Sequence, residues 1–121
     1  MNSRLFIVIP CYNEEEVLPI TSKMFLEELE DLIHKGKISD NSRILFVNDG
    51  SKDKTLEILK ELKRNDRDVK IISFSRNFGK ESAIYAGLEN SKGDLVVVID
   101  ADLQHPPVKI IDMVKGIEER I

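Results

Sequence analysis

The stretch "DLVVVIDADLQHPP" (residues 94–107) drives an apolar, β-branched run straight into two carboxylates, Asp100 and Asp102, and closes on two prolines. A short apolar run of this kind reads as a strand buried on both faces. The same pattern occurs three times upstream. "RLFIVIP" (4–10) runs into "CYNEEE", "RILFVN" (43–48) into "DGSKD", and "VKIISFS" (69–75) into "RNFGKE". Helical periods lie between these runs. Leu18, Met24, Phe25, Leu29, Leu32 and Ile33 recur at three- and four-residue steps before Gly36, and Pro19 places the start of that helix close to itself. Leu56, Leu59 and Leu62 stripe a second helix, and residues 80–90 form a third. Ile110, Val114, Ile117 and Ile121 stripe a fourth, opened by Pro106 and Pro107. The order β-α-β-α-β-α-β-α predicts an α/β fold, a three-layer, open, mostly parallel sheet with helices on both faces.

The 121 residues correspond to one domain, 41% hydrophobic and 33% charged, enough for a core and a soluble surface. A formal net charge of −4, with Lys and Arg scattered, argues against nucleic acid as a partner. No apolar run approaches the ~20 residues that cross a bilayer, and the first fifteen residues do not form a secretory signal. A single cysteine, Cys11, fits a reducing cytoplasm and reads as a small packed residue. No G-x-G-x-x-G follows the first strand, and no G-x-x-x-x-G-K-[ST] is present, so neither a dinucleotide fingerprint nor a P-loop is predicted.

In open α/β sheets ligands bind at the carboxyl ends of the strands, and every unusual polar cluster of this chain falls there. Asp100 and Asp102 are two residues apart, so in an extended chain both face one side. Like charges held that close call for a proton or a cation between them, and hard oxygen donors suit Mg2+ or Mn2+. Gln104 continues the step and completes a partial metal shell, whereas a bare Asp-x-Asp is also a common turn. Asp49 can accept from a base or ribose, or can belong to an Asp-Gly turn in which Ser51 or Asp53 caps the next helix. Tyr12 offers a ring to a base and Glu14 a carboxylate. Asn13 alternatively caps the first helix, with Glu14, Glu15 and Glu16 complementing its dipole. Arg76 and Lys80 flank Gly79 beside a helix start, suited to a diphosphate or else a solvated turn, with Phe78 as packing. His34 suits a helix end and His105 a surface position.

Taken together, "VIPCYNEEEVL", "FVNDGSKDKT", "SFSRNFGKESAIYAGL" and "GDLVVVIDADLQHPP" resemble the successive motifs of family 2 glycosyltransferases with the Rossmann-like GT-A fold. The similarity is strongest to the branch of dolichol-phosphate mannosyltransferases and polyprenyl-phosphate glycosyltransferases. The resemblance implies a nucleotide-sugar site made by Pro10, Tyr12, Glu14, Asp49, Arg76, Phe78, Gly79, Lys80, Asp100 and Ala101. It also implies a divalent-metal site made by Asp100, Asp102 and Gln104. It implies transfer of a sugar, with inversion, from a UDP- or GDP-sugar to a polyprenyl (undecaprenyl or dolichyl) phosphate at the cytoplasmic membrane face, the cation (Mg2+ or Mn2+) acting as Lewis acid on the departing diphosphate. Asn48 departs from the pattern, since many relatives carry a second Asp there. Family members are longer than this chain. Residues 1–121 are therefore expected to be the nucleotide-sugar-binding part of a longer domain, inactive in isolation, with the general base beyond Ile121. Self-association through uncovered sheet edge is left open. Three other readings share the pattern: a non-catalytic nucleotide-binding module, a family 2 enzyme with a saccharide acceptor, and a nucleotidyltransferase. The last lacks its Gly-rich basic loop after the first strand.

Overall fold

The structure, a computed structural model, describes residues 3–102. Gln104, His105, the two prolines and the expected fourth helix lie outside the described residues. The chain runs β1 (Leu5–Cys11), α1 (Leu18–His34), β2 (Arg43–Asn48), α2 (Thr55–Asn65), β3 (Val69–Ser73), α3 (Lys80–Glu89) and β4 (Leu95–Val98). The four described strands form one parallel sheet, as the alternation of elements predicts, and their order in it is β3-β2-β1-β4.

β1 is the centre of the molecule, and all seven of its residues are buried. Its alternating side chains serve two cores. Leu5, Ile7, Ile9 and Cys11 pack with Phe25, Leu29 and Leu32 of α1 and Leu59 of α2. Phe6 and Val8 point the other way and meet Ala83 of α3, with Leu45 and Val47 of β2 beside them. The three described helices thus divide two to one across the sheet, which makes three layers. α3 comes very close to β1: a Cβ added to Gly87 would lie 2.3 Å from Cγ1 of Val8.

Element ends differ from the sequence expectation in small ways with local causes. β3 stops at Ser73, although the Phe74 amide still donates to the Asn48 carbonyl at 2.9 Å. β4 stops at Val98, with Ile99 still bonded to the Val8 carbonyl at 3.0 Å. α1 opens at Leu18 with Pro19 in its first turn, where the missing N–H has no intrahelical partner to lose. Asn13 is not its cap. That residue has a φ of 52°, and its Oδ1 accepts the Lys52 amide at 2.8 Å instead. The first turn of α1 carries no acid, so Glu14, Glu15 and Glu16 do not serve its dipole from within the helix.

Candidate functional site

The strand order places a switch point beside β1. From β1 the chain goes to β2 on one side, whereas β4 is added on the other. The crevice beside the carboxyl ends of β1 and β4 is the place at which open parallel sheets take ligands. Pro10 sharpens the opening. Val8 accepts from Ile99 on the β4 side, so Pro10, two residues on, turns the same way but has no N–H to donate. The ladder between β1 and β4 ends there. A cavity of about 210 Å³ occupies the gap. Pro10, Cys11, Tyr12 and Glu14 line it from the β1 loop, Asp49 from the β2 loop, Lys80 from the start of α3, and Asp100, Ala101 and Asp102 from the β4 loop.

Side chains of the second loop hold the backbone of the first. Ser51 Oγ accepts the Asn13 amide at 3.0 Å, Thr55 Oγ1 accepts the Glu14 amide at 2.8 Å, and Asp53 Oδ2 accepts the Glu15 amide at 3.1 Å. Asp53 Oδ1 takes the Thr55 amide at 2.9 Å and also the Thr55 hydroxyl. Burial alone would push the Asp53 carboxyl up. The bonds from Thr55 and Glu15 outweigh it and hold Asp53 below the usual carboxylate range. Of the two expected caps for α2, Asp53 does bond an amide of its first turn, while Ser51 is used across the loops.

Asp49 is buried and bonded to the third loop. Its Oδ1 accepts the Phe78 amide at 2.8 Å, and its Oδ2 accepts the Gly79 amide and Asn77 Nδ2, both at 3.1 Å. Gly50 makes that grip close. It has a φ of 64°, and a Cβ there would lie 2.0 Å from the Arg76 carbonyl carbon, so only glycine lets the two backbones touch. One carboxylate lone-pair site is left over on Asp49 for anything in the cavity. Its main work in this structure is to build the loop that ends in Lys80.

The cavity is acidic, and one cation already sits in it. Lys80 Nζ lies 2.6 Å from Asp100 Oδ1. Glu14 is pushed above the ordinary glutamate range by partial burial and then by the negative charges of Asp102, Asp53 and Asp100. Burial, with Glu14 nearby, likewise pushes the Cys11 thiol up, so it stays protonated and packs as a small apolar group rather than acting as a nucleophile. Glu14, Asp100 and Asp102 bring hard carboxylate oxygens to one cavity, the donor chemistry that suits Mg2+ or Mn2+, and Asp100 and Asp102 are the residues that would hold such a cation.

Of the residues expected at the site, Pro10, Tyr12, Glu14, Asp49, Lys80, Asp100, Ala101 and Asp102 converge on this one cavity. Three do not line it. Arg76 instead stacks on the Phe78 ring, 4.7 Å from its centroid, Phe78 packs edge-on against Phe74, and the Gly79 amide is spent on Asp49. Gln104 lies outside the described residues. Sequence reasoning missed Asn77, Thr55 and the closeness required at Gly50. An amide or hydroxyl residue in a loop announces no particular partner, although the Asp-Gly pair was a signal for Gly50. A larger, open concavity of about 500 Å³ lies at the amino edge, between the end of α1 and the start of β3. There Glu30, Asp66 and Asp68 bring carboxylate oxygens within 4.8 Å of one another. Asp68 is paired with Arg43 at 3.3 Å, and its amide bonds Asp66 Oδ1, so this group ties β3 to β2 and lies across the sheet from the Asp100–Asp102 pair.

Fold and site define the class first: a parallel α/β domain with an acid-rich ligand cleft at its switch point. Residues 6–120 match the family described as "Glycosyl transferase family 2", and the chain belongs to that family. It is 47% identical over 113 residues to the "Uncharacterized glycosyltransferase YkcC" of Bacillus subtilis, covering 93% of this chain and 33% of that protein. It is 45% identical over 103 residues to the "Prophage bactoprenol glucosyl transferase homolog" of Escherichia coli, covering 85% of this chain and 32% of that protein. Its fold matches that of the mannosyltransferase PcManGT from Pyrobaculum calidifontis, solved in complex with GDP-Man and Mn2+. The TM-score is 0.65 at 22% identity, over 84% of this chain and 28% of that one. The chain thus spans about a third of the length of the curated relatives it matches.

Proposed function

We propose that residues 1–121 supply the donor- and metal-binding part of an inverting glycosyltransferase that moves a sugar from a UDP- or GDP-sugar to a polyprenyl phosphate. The observation that carries this reading is the single cleft at the β1–β4 switch point, where an exposed tyrosine ring, an acid cluster and a lysine meet. Tyr12 offers its face to a base, while Asp49 holds the loop behind the ribose end and keeps one acceptor site in hand. A divalent cation held by Asp100 and Asp102 would neutralise charge developing on the leaving diphosphate. Lys80 brings a second positive charge to the same end. The similarity to a bactoprenol glucosyl transferase homolog supports a lipid-phosphate acceptor. Since this chain matches only about a third of such relatives, we assign acceptor binding and the general base to the remainder of a longer protein working at the cytoplasmic face of the membrane. No helix of the described residues is long and apolar enough to cross a membrane.

Calorimetric titration with UDP and GDP, with and without Mn2+, tests the donor site. One of the two should bind, with metal-dependent affinity, and Asp102→Ala should lose that dependence. A folded protein that binds neither nucleotide in the presence of Mn2+ overturns the reading.

A further inference from the structure

We propose that Lys80 is a tethered counter-cation that occupies Asp100 until the donor arrives, so that the divalent ion and the nucleotide diphosphate enter this site together. This rests on the donor-site reading above. Three observations lead to it. Lys80 Nζ is 2.6 Å from Asp100 Oδ1, one of the carboxylates that would hold the cation. Lys80 is also held in place from behind. It is the first residue of α3 and follows Gly79, whose backbone amide, with that of Phe78 and the side-chain Nδ2 of Asn77, is gripped by the buried Asp49. The grip positions the loop, while the side chain beyond it is free to turn, being 61% exposed. Finally, Glu14, Asp100 and Asp102 line the same cavity as Lys80, so its ammonium is the positive charge among these acids.

A long, flexible ammonium side chain suits such a role, because a lysine is a mobile point charge with no fixed bidentate geometry. With the cavity lacking a diphosphate, Lys80 neutralises Asp100 and competes with a bare metal ion for it. A diphosphate bound beside α3 offers Lys80 new oxygens. Its transfer there would free Asp100, one of the carboxylates that would hold the cation. Metal and nucleotide are accordingly coupled, each raising the affinity of the other.

The experiment measures Mn2+ binding by the decline of the free-ion paramagnetic resonance signal, alone and with saturating UDP or GDP. The proteins compared are wild type, Lys80→Met, Lys80→Arg and, as a control away from the cleft, Lys92→Met. Lys80→Met should bind Mn2+ alone several-fold more tightly than wild type, while the further gain produced by nucleotide shrinks. Lys80→Arg, which keeps the charge, should bind Mn2+ alone about as weakly as wild type, and Lys92→Met should match wild type throughout. Unchanged or weaker Mn2+ binding by Lys80→Met alone overturns the proposal, as does an equal gain from Lys92→Met. Failure of the underlying reading looks different: wild type then binds neither UDP nor GDP with Mn2+, whatever Lys80 does to the ion alone. Both positions substituted, Lys80 and Lys92, carry exposed side chains, and far-ultraviolet circular dichroism checks the folding of each variant.

Discussion

Asp49 receives three N–H groups from residues 77–79 on its two carboxylate oxygens, and Gly50 lets that loop lie against the turn. Buried charge is costly unless hydrogen-bonded, and here it is bonded almost to capacity. Asp49→Asn keeps the shape but replaces one acceptor by a donor facing donors. It should cost about 1–3 kcal/mol of stability in urea unfolding, the range for an unsatisfied buried group. It should also weaken nucleotide binding by loosening the loop that carries Lys80. An unchanged urea midpoint would mean that the loop holds itself. Sequence reading found Asp49 by its place after a strand but could not say that it faces another loop, because a carboxylate's partner nearly thirty residues away leaves no local mark.

At the scale of elements, α3 decides how tightly the site's floor is packed. It is short, its exposed Tyr85 and Leu88 give it no clean amphipathic stripe, and it meets the sheet through Ala83 and Gly87. The small residues let it lie on Val8, and that closeness sets where its first residue, Lys80, projects. Gly87→Ala would ordinarily gain about 1 kcal/mol from helix propensity. Here its methyl would sit 2.3 Å from a methyl of a buried valine. Overpacking costs about 1–3 kcal/mol, so the clash should win and lower the thermal midpoint by a few degrees. Adding Val8→Ala should recover part of the loss, since the two sites share one space. A stabilised single variant would show that the helix can lift off β1 freely.

The acid cluster belongs to the whole molecule, since Glu14, Asp53 and the Asp100–Asp102 pair follow three different strands. Glu14 has its folded pKa raised above its ordinary 4.5. Its stabilising contribution is therefore full below that value and is lost as pH rises through the raised pKa. Glu14→Gln removes the titration. Its stability relative to wild type should be greater at pH 7.5 than at pH 4.5, read from urea midpoints, and Mg2+ with nucleotide should narrow the gap by stabilising wild type selectively. A relative stability constant with pH would separate Glu14 from the other acids. Much of this was legible in the chain itself. Four apolar β-branched runs and the periodic stretches between them determined a parallel α/β sheet, because local hydrophobic spacing dictates which faces must be buried. The same runs delivered the polar clusters to one edge, since parallel strands all end on the same side. Strand order was a tertiary decision. Nothing in residues 94–100 says whether the last strand joins β3 or crosses to β1, and only packing α3 on the opposite face from α1 and α2 sends it to β1. That choice puts Asp100 beside Pro10, Glu14 and Lys80. Charge pairing across the resulting cleft depends on distances in space, which the order of residues does not contain.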